Sequence, residues 1–439
     1  AALAANLKID GTVNVAKTSW DVHFENVSIT EGSVEANPAP TTNNTDTTEM
    51  AYTINFTKPG DYFEFTTDIV NEGTIDAMVD VVSNNAYQNA SSTSPITLPT
   101  YLTSTVTYSD GLEIQPNQEL KHDTSEKIKV RVEFRQDIEV SDLPSDGNTS
   151  IVFKFIGDYK QADENAIPVR VDISTASWDE ITTAYENNPA SLQQSMEAGT
   201  TKEVQLDLNN DGTAETTAHL RIANLSTPSE CSTEGFSETA CGLVLEFADV
   251  ITTHRMNPYD NSGNSNGDAS RGGWEYSDMR AFLNNGKYLE GETGEIDYTN
   301  TGIYSALPSE LRNKIIETKV VSGHGSKDSA NFTTTDKIYL FSPHEVWEDV
   351  ETSSIGIDDY DKSYSYTRQL DYYKAKGVTT RNYSETIKKN LSGSASYWWL
   401  RSAHSITYYS FFIVCNDGRW AVTASDYTYH GVSPAFRIG

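Results

Sequence analysis

Residues 397–403 read Tyr397-Trp-Trp-Leu-Arg-Ser-Ala403, and the chain closes on Gly431-Val-Ser-Pro-Ala-Phe-Arg-Ile-Gly439. The first stretch is a compact apolar strand with a single Arg. Between the two lies a segment of different character, His404-Ser-Ile-Thr-Tyr-Tyr-Ser-Phe-Phe-Ile-Val-Cys-Asn-Asp-Gly-Arg-Trp-Ala-Val-Thr-Ala-Ser-Asp-Tyr-Thr-Tyr-His430. The whole chain holds 19 Lys, 31 Glu, 9 Gln and 5 Met among 439 residues. At that composition residues 404–430 should contain about four of these types. They contain none. Trp398, Trp399 and Trp420 read as core, and Phe411 and Phe412, adjacent on a strand, should point to opposite faces, one of them to core.

The two flanks resemble the variable C-terminal domains diversified by diversity-generating retroelements. The resemblance implies a C-type-lectin fold, related to the formylglycine-generating-enzyme fold, over roughly residues 170–439. It also accounts for the absent residue types. Such elements randomise the adenines of Asn codons, and a randomised Asn codon cannot become Lys, Glu, Gln, Met or Trp. Trp420 is then a fixed framework residue, while Cys415 and Arg419 are ordinary products of randomisation. The alternative is a lectin-type hairpin with ordinary surface residues.

On the first reading residues 404–430 form a variable region. Its ligand-binding candidates are His404, Ile406, Thr407, Tyr408, Tyr409, Ser410, Ile413, Cys415, Arg419, Ala421, Thr423, Asp426, Tyr427, Thr428, Tyr429 and His430. Tyr408, Tyr409, Tyr427 and Tyr429 are expected on one exposed face with Arg419 and Asp426. Tyr gives large, rigid, amphipathic contact area at low entropy cost, and Ser and Thr adapt their hydrogen bonding. His404 and His430 read as contact residues, not metal ligands. The partner is a protein or a glycan.

Outward from this segment, residues 161–439 mix helices and strands, an α+β pattern with long loops. Ser177-Trp-Asp-Glu-Ile carries an N-cap serine and an acid at the third helical position. Helices are also expected after Ser277 and Pro308, and strands at Ala218–Ile222, Leu243–Phe247 and Lys337–Phe341. Cys231 and Cys241, ten apart in a polar loop, read as a local disulfide, which needs an oxidising compartment; two unpaired thiols are the alternative. Asp207-Leu-Asn-Asn-Asp-Gly212 opens like a calcium loop, with Asp207, Asn209 and Asp211 as oxygen ligands. Ala218 stands where the closing Glu of a full loop belongs. Glu215 is the substitute in a shorter loop, and a plain hairpin turn explains the same residues.

Enzyme signatures are weak, and the chain is expected not to be one. His344-Glu345 lacks the second histidine of a zinc motif, and Ser322-Gly-His-Gly-Ser326 reads equally as a nucleophile beside a base or a Gly-rich turn. A formylglycine-generating-type oxidase needs a reactive cysteine pair, and Cys415 has no neighbour in sequence. A calcium-dependent sugar-binding lectin is a further alternative, though its Glu-Pro-Asn-type triplet is absent. No cofactor beyond calcium is implied.

Residues 1–160 read as β-structure throughout, a sandwich or jelly roll. Runs at Leu7–Val15, Trp20–Ile29, Ala51–Phe56, Tyr62–Asn71, Asp76–Val82, Leu102–Tyr108, Lys127–Arg135 and Ile151–Tyr159 alternate with turns such as Lys58-Pro59-Gly60-Asp61. The run Ala51–Ala77, with its Lys-Pro-Gly-Asp turn and its Asn-Glu-Gly turn at 71–73, resembles the TasA/camelysin family of secreted filament proteins. That resemblance implies a jelly roll that polymerises by donor-strand exchange, a β-augmentation. Leu3–Val15 is the candidate donor; a strand within its own sheet is the other possibility.

Sixty-three acidic against 32 basic side chains leave a formal charge of −31. Such a surface repels phosphates, so nucleic acid and anionic membrane are poor partners. No apolar run is long enough to span a bilayer. The opening Ala-Ala-Leu-Ala-Ala resembles the stub of a cleaved secretory signal or of a removed anchor. An extracellular or cell-surface location follows as the expectation.

Overall fold

From Tyr62 to Asn71 every second side chain is buried: Phe63, Phe65 and Ile69, with Thr67, whose hydroxyl donates to the Glu25 carbonyl, and Asn71 at the turn. This period of two is what a strand with one covered face requires. The computed structural model describes residues 18–42, 48–143, 149–258, 270–290, 294–326, 328–350 and 367–439. The chain is mostly β, 38% strand against 15% helix, and divides into two units, Ala1–Val169 and Arg170–Gly439.

Unit 1 contains β1 (Val22–Gly32), β2 (Glu49–Phe56), β3 (Tyr62–Asn71), β4 (Ala77–Tyr87), β5 (Leu102–Tyr108), β6 (Glu119–Leu120), β7 (Thr124–Phe134) and β8 (Thr149–Gln161). They form two four-stranded sheets, β1-β3-β7-β5 and β2-β8-β4-β6, with every pairing antiparallel. The apolar faces of both sheets meet in one core. Tyr52 of β2 packs against Phe65 of β3, and Phe24 of β1 against Phe155 of β8. The expected run Leu7–Val15, and with it the candidate donor Leu3–Val15, lies outside the described residues.

The turn between β2 and β3 closes on Asp61, whose buried carboxylate accepts from the Thr57 N–H and hydroxyl and from the Lys58 N–H. Burial alone raises its pKa, but those bonds outweigh it and hold the carboxyl below its ordinary value. Gly60 takes a φ of +91°, a conformation that L side chains rarely adopt. The units divide after Val169, later than the expected 160/161. The cause is Ile167, which bridges Gln118 and ties the linker back to β6.

Unit 2 begins with the helix Trp178–Asn187, whose Ser177 and Glu180 form the expected capping box. Its strands are β9 (Thr201–Leu206), β10 (Thr216–Asn224), β11 (Val244–Phe247), β12 (Thr252–Thr253), β13 (Lys287–Glu290) and β14 (Gly294–Asp297). There follow β15 (Ile315–Ile316), β16 (Thr318–Ser322), β17 (Phe332–Asp336), β18 (Lys388–Lys389) and β19 (Ala395–Ser396). The last are β20 (Trp398–Ala403), β21 (Ser410–Val414), β22 (Trp420–Ala424), β23 (Gly431–Val432) and β24 (Ala435–Ile438). Two five-stranded sheets dominate, β15-β24-β11-β10-β9 and β12-β23-β20-β21-β22.

The two flanking stretches quoted first are therefore interior strands, β20 in one sheet and β24 in the other. Trp398 and Trp399 are fully buried, and their indole N–H groups donate to the carbonyls of Thr386 and His254. Arg401 is buried as well. Its guanidinium spans both carboxylate oxygens of the equally buried Glu345, at 2.6 and 2.7 Å, and the carbonyls of Val321 and Leu340. An ion pair without solvent holds only when its remaining hydrogen bonds are also met, as they are here.

Two expected elements differ. The helix after Pro308 stops at Arg312, because Ile315 and Ile316 pair with β24 instead. Residues Lys337–Phe341 make one bridge, Tyr339 to Ala435, and no strand. Among the described residues no helix is long and apolar enough to cross a membrane.

Candidate functional site

Strand β21 lies between β20 and β22, and β22 is the edge of the sheet. All five residues of β21 are buried, whereas all five of β22 are partly covered. Phe411 and Phe412 are thus both core, where only one of the two was expected there, because unit 2 packs side chains against both faces of β21. Register pairs Ser410 with Ala424 at one end of the hairpin and Val414 with Trp420 at the other. These ends are roughly 14 Å apart at a strand's rise per residue.

The loops at the Ser410 end carry the tyrosines. Tyr408 and Tyr409 meet edge to face at 5.1 Å, and Tyr427 and Tyr429 stack at 5.1 Å. The two loops are joined by the Ser425 N–H, which donates to the Tyr409 carbonyl at 2.9 Å. Ile406, Tyr408, Tyr427, Thr428 and Tyr429 are exposed, and Thr407, Tyr409 and Asp426 are half-buried beside them. These eight candidates share one end of the hairpin.

The remaining candidates are buried, or lie along the edge strand or at its far end. Ser410 and Ile413 belong to the covered strand β21 and Cys415 follows it, all three buried. Burial raises the Cys415 thiol above its ordinary pKa, and it is the free cysteine of the described chain. His404 is buried, its Nδ1 within 2.8 Å of the Thr407 hydroxyl, where it shapes the loop. His430 is buried beneath Tyr397, Tyr427 and Tyr429. Ala421 and Thr423 line the edge strand. Arg419 sits at the far end of the hairpin, where it pairs with Asp417 in the turn closed by Gly418. The expected grouping of Arg419 with the tyrosines is corrected by register.

Cys231 and Cys241 form a disulfide. Asp207, Asp211 and Glu215 bring carboxylate oxygens within 4.8 Å of one another in the β9–β10 turn, and these are the residues able to hold a cation there. Their oxygens already accept backbone N–H groups: Asp207 from Asp211 and Gly212, Asp211 from Thr213, Glu215 from Leu208. Asn209 accepts from the Asp211 N–H at 2.9 Å. The turn is complete as a hairpin turn. Ser322 lies buried in β16, and the His324 ring contacts the Gly325 carbonyl; among the described residues no hydrogen bond joins the two as nucleophile and base.

A cleft of about 1000 Å³ went unanticipated, lined by Arg271, Glu275, Tyr276, Arg280, Asp328 and Asp336. Arg280 is neutralised by Asp336 at 2.7 Å. The residues come from separate segments with no shared motif, so nothing in the sequence groups them.

Residues 247–439, less than half of the chain, match a protein family described as "Domain of unknown function (DUF6273)". The match covers β20 to β24 and the tyrosine loops. No curated protein matches the chain.

Proposed function

We propose that this is a secreted or surface-displayed ligand-binding protein. Its C-terminal unit is a C-type-lectin-like domain that presents a tyrosine-rich face, diversified by a retroelement. Its N-terminal unit is a TasA/camelysin-type jelly roll that anchors or polymerises it. The observation that carries the reading is the contrast at the β21–β22 hairpin. Exposed Tyr408, Tyr427 and Tyr429, with Tyr409 half-buried beside them, sit on loops at one end, while the strands beneath hold fully buried Trp398, Trp399, Phe411 and Phe412. Binding surfaces whose contacts must change need this separation, since loop residues then vary without touching the core. Function is non-covalent recognition. An oxidase of the formylglycine-generating type needs a reactive cysteine pair, whereas Cys231 and Cys241 are bonded to each other and Cys415 is buried.

Sequencing of this gene across a natural population tests the reading. Differences should concentrate in the codons for residues 406–409 and 426–430, spare Trp420 and Gly431–Gly439, and match Asn codons in a nearby template copy. Differences scattered evenly over the domain would contradict it.

A further inference from the structure

The imidazole of His430 is 4% exposed, and neither Nδ1 nor Nε2 has a hydrogen-bond partner. A buried polar group without a partner is unfavourable and asks for a reason. Four aromatic rings surround it. The rings of Tyr429, Trp399, Tyr397 and Tyr427 lie 4.9, 5.1, 5.3 and 5.4 Å from it, centroid to centroid. Burial pushes the His430 pKa down to about 4, so at neutral pH the ring is uncharged and offers one nitrogen lone pair and one N–H.

The cluster reaches solvent through its tyrosines, of which Tyr429 is 63% exposed. Asp426, half-buried, precedes Tyr427 in the same loop, and burial first, then Tyr427, Asp426 and Tyr397, raise the Tyr429 hydroxyl above its ordinary pKa. The arginines of adjoining segments are engaged elsewhere, Arg255 with Asp278 and Arg419 with Asp417. What lies together here is aromatic rings set tilted or edge to face around His430, the carboxylate of Asp426 next to Tyr427 in the loop, and a nitrogen lone pair, in a chain of net charge −31. Every one of these attracts a cation.

We propose that Tyr397, Tyr427, Tyr429, His430 and Asp426 form a receptor for an arginine side chain of a partner protein. The proposal rests on the reading of this face as a binding surface and names its guest. A guanidinium fits better than an ammonium because its plane stacks on a tyrosine ring while its N–H groups point outward in that plane. One N–H then meets His430 and another meets Asp426, a charge-assisted bond. Tyr429 is the most open of the rings and so the side from which the guest approaches.

The test is an NMR titration of the full chain with N-acetyl-arginine methylamide and with its neutral isostere, N-acetyl-citrulline methylamide. The arginine compound should give saturable shifts of the tyrosine and histidine ring signals, with the citrulline compound about tenfold weaker or more. Asp426→Asn and His430→Phe should each weaken the arginine compound by about fivefold. Trp20→Ala, an exposed aromatic change in unit 1, should leave it unchanged. Equal binding of the two compounds, absence of saturation, or arginine binding that survives in the Tyr427→Ala/Tyr429→Ala double variant overturns the proposal. Thermal melts of that double variant separate the two readings. A wild-type melt without arginine binding in the wild-type chain removes the guest and leaves the display face; a collapsed melt removes the display face itself.

Discussion

His344 and His430 are both held neutral by burial, which pushes each pKa down to about 4. Burial shifts His254 and His404 in the same direction. An unfolded histidine titrates near 6.5. Between about 6.5 and 4 the unfolded chain therefore binds more protons than the folded one, and stability falls as pH falls. Above that window the contribution is complete. His430→Phe should flatten part of this slope, read as melting temperature against pH from 7.5 to 4. A variant with the wild-type slope would show that His430 is not desolvated. Of the face, the tyrosines were legible, because composition alone marks a Tyr-rich segment free of Lys and Glu. The burial of His430 was not. It depends on Trp399 and Tyr397, more than thirty residues upstream, which reach it through the pairing of β20 with β23.

At the scale of elements, local chemistry was readable and tertiary pairing was not. The Ser177–Glu180 capping box lies within one turn of chain, and it formed as expected. The helix after Pro308 was cut short by β24, more than a hundred residues away. Arg419 was grouped with the tyrosines because sequence distance does not reveal which end of a hairpin a residue occupies. The turn that decides this is held by Gly418, at a φ of +92°, where an added Cβ would sit 2.2 Å from the Tyr383 carbonyl oxygen. Gly418→Ala should cost about 1–3 kcal/mol from strain and collision. Thr428→Ala, on the exposed loop, should cost within about 0.5 kcal/mol. Urea unfolding of both variants measures the difference. Equal losses would mean that the hairpin is not anchored at this turn.

On the scale of the whole molecule, the two units have separate cores, and the proposal gives them separate roles. If unit 1 polymerises by donating its N-terminal strand, deleting residues 1–12 should abolish filaments in electron micrographs and leave the melt of unit 2 unchanged. Filaments of normal length from the truncated chain would reject donation. The central claim is that unit 2 is a fixed frame carrying a replaceable face. Its most direct measurement compares two thermal melts, one of the chain with Tyr408, Tyr409, Tyr427 and Tyr429 all changed to Ser, the other of Trp399→Ala. Truncating a buried Trp typically costs about 3–5 kcal/mol, whereas changes at the exposed Tyr408, Tyr427 and Tyr429 cost within about 0.5 kcal/mol each, and the half-buried Tyr409 somewhat more. The account predicts that the fourfold tyrosine variant melts within a few degrees of wild type and that Trp399→Ala is severely destabilised. A fourfold variant that melts as low as Trp399→Ala would make the tyrosines part of the core and contradict the claim.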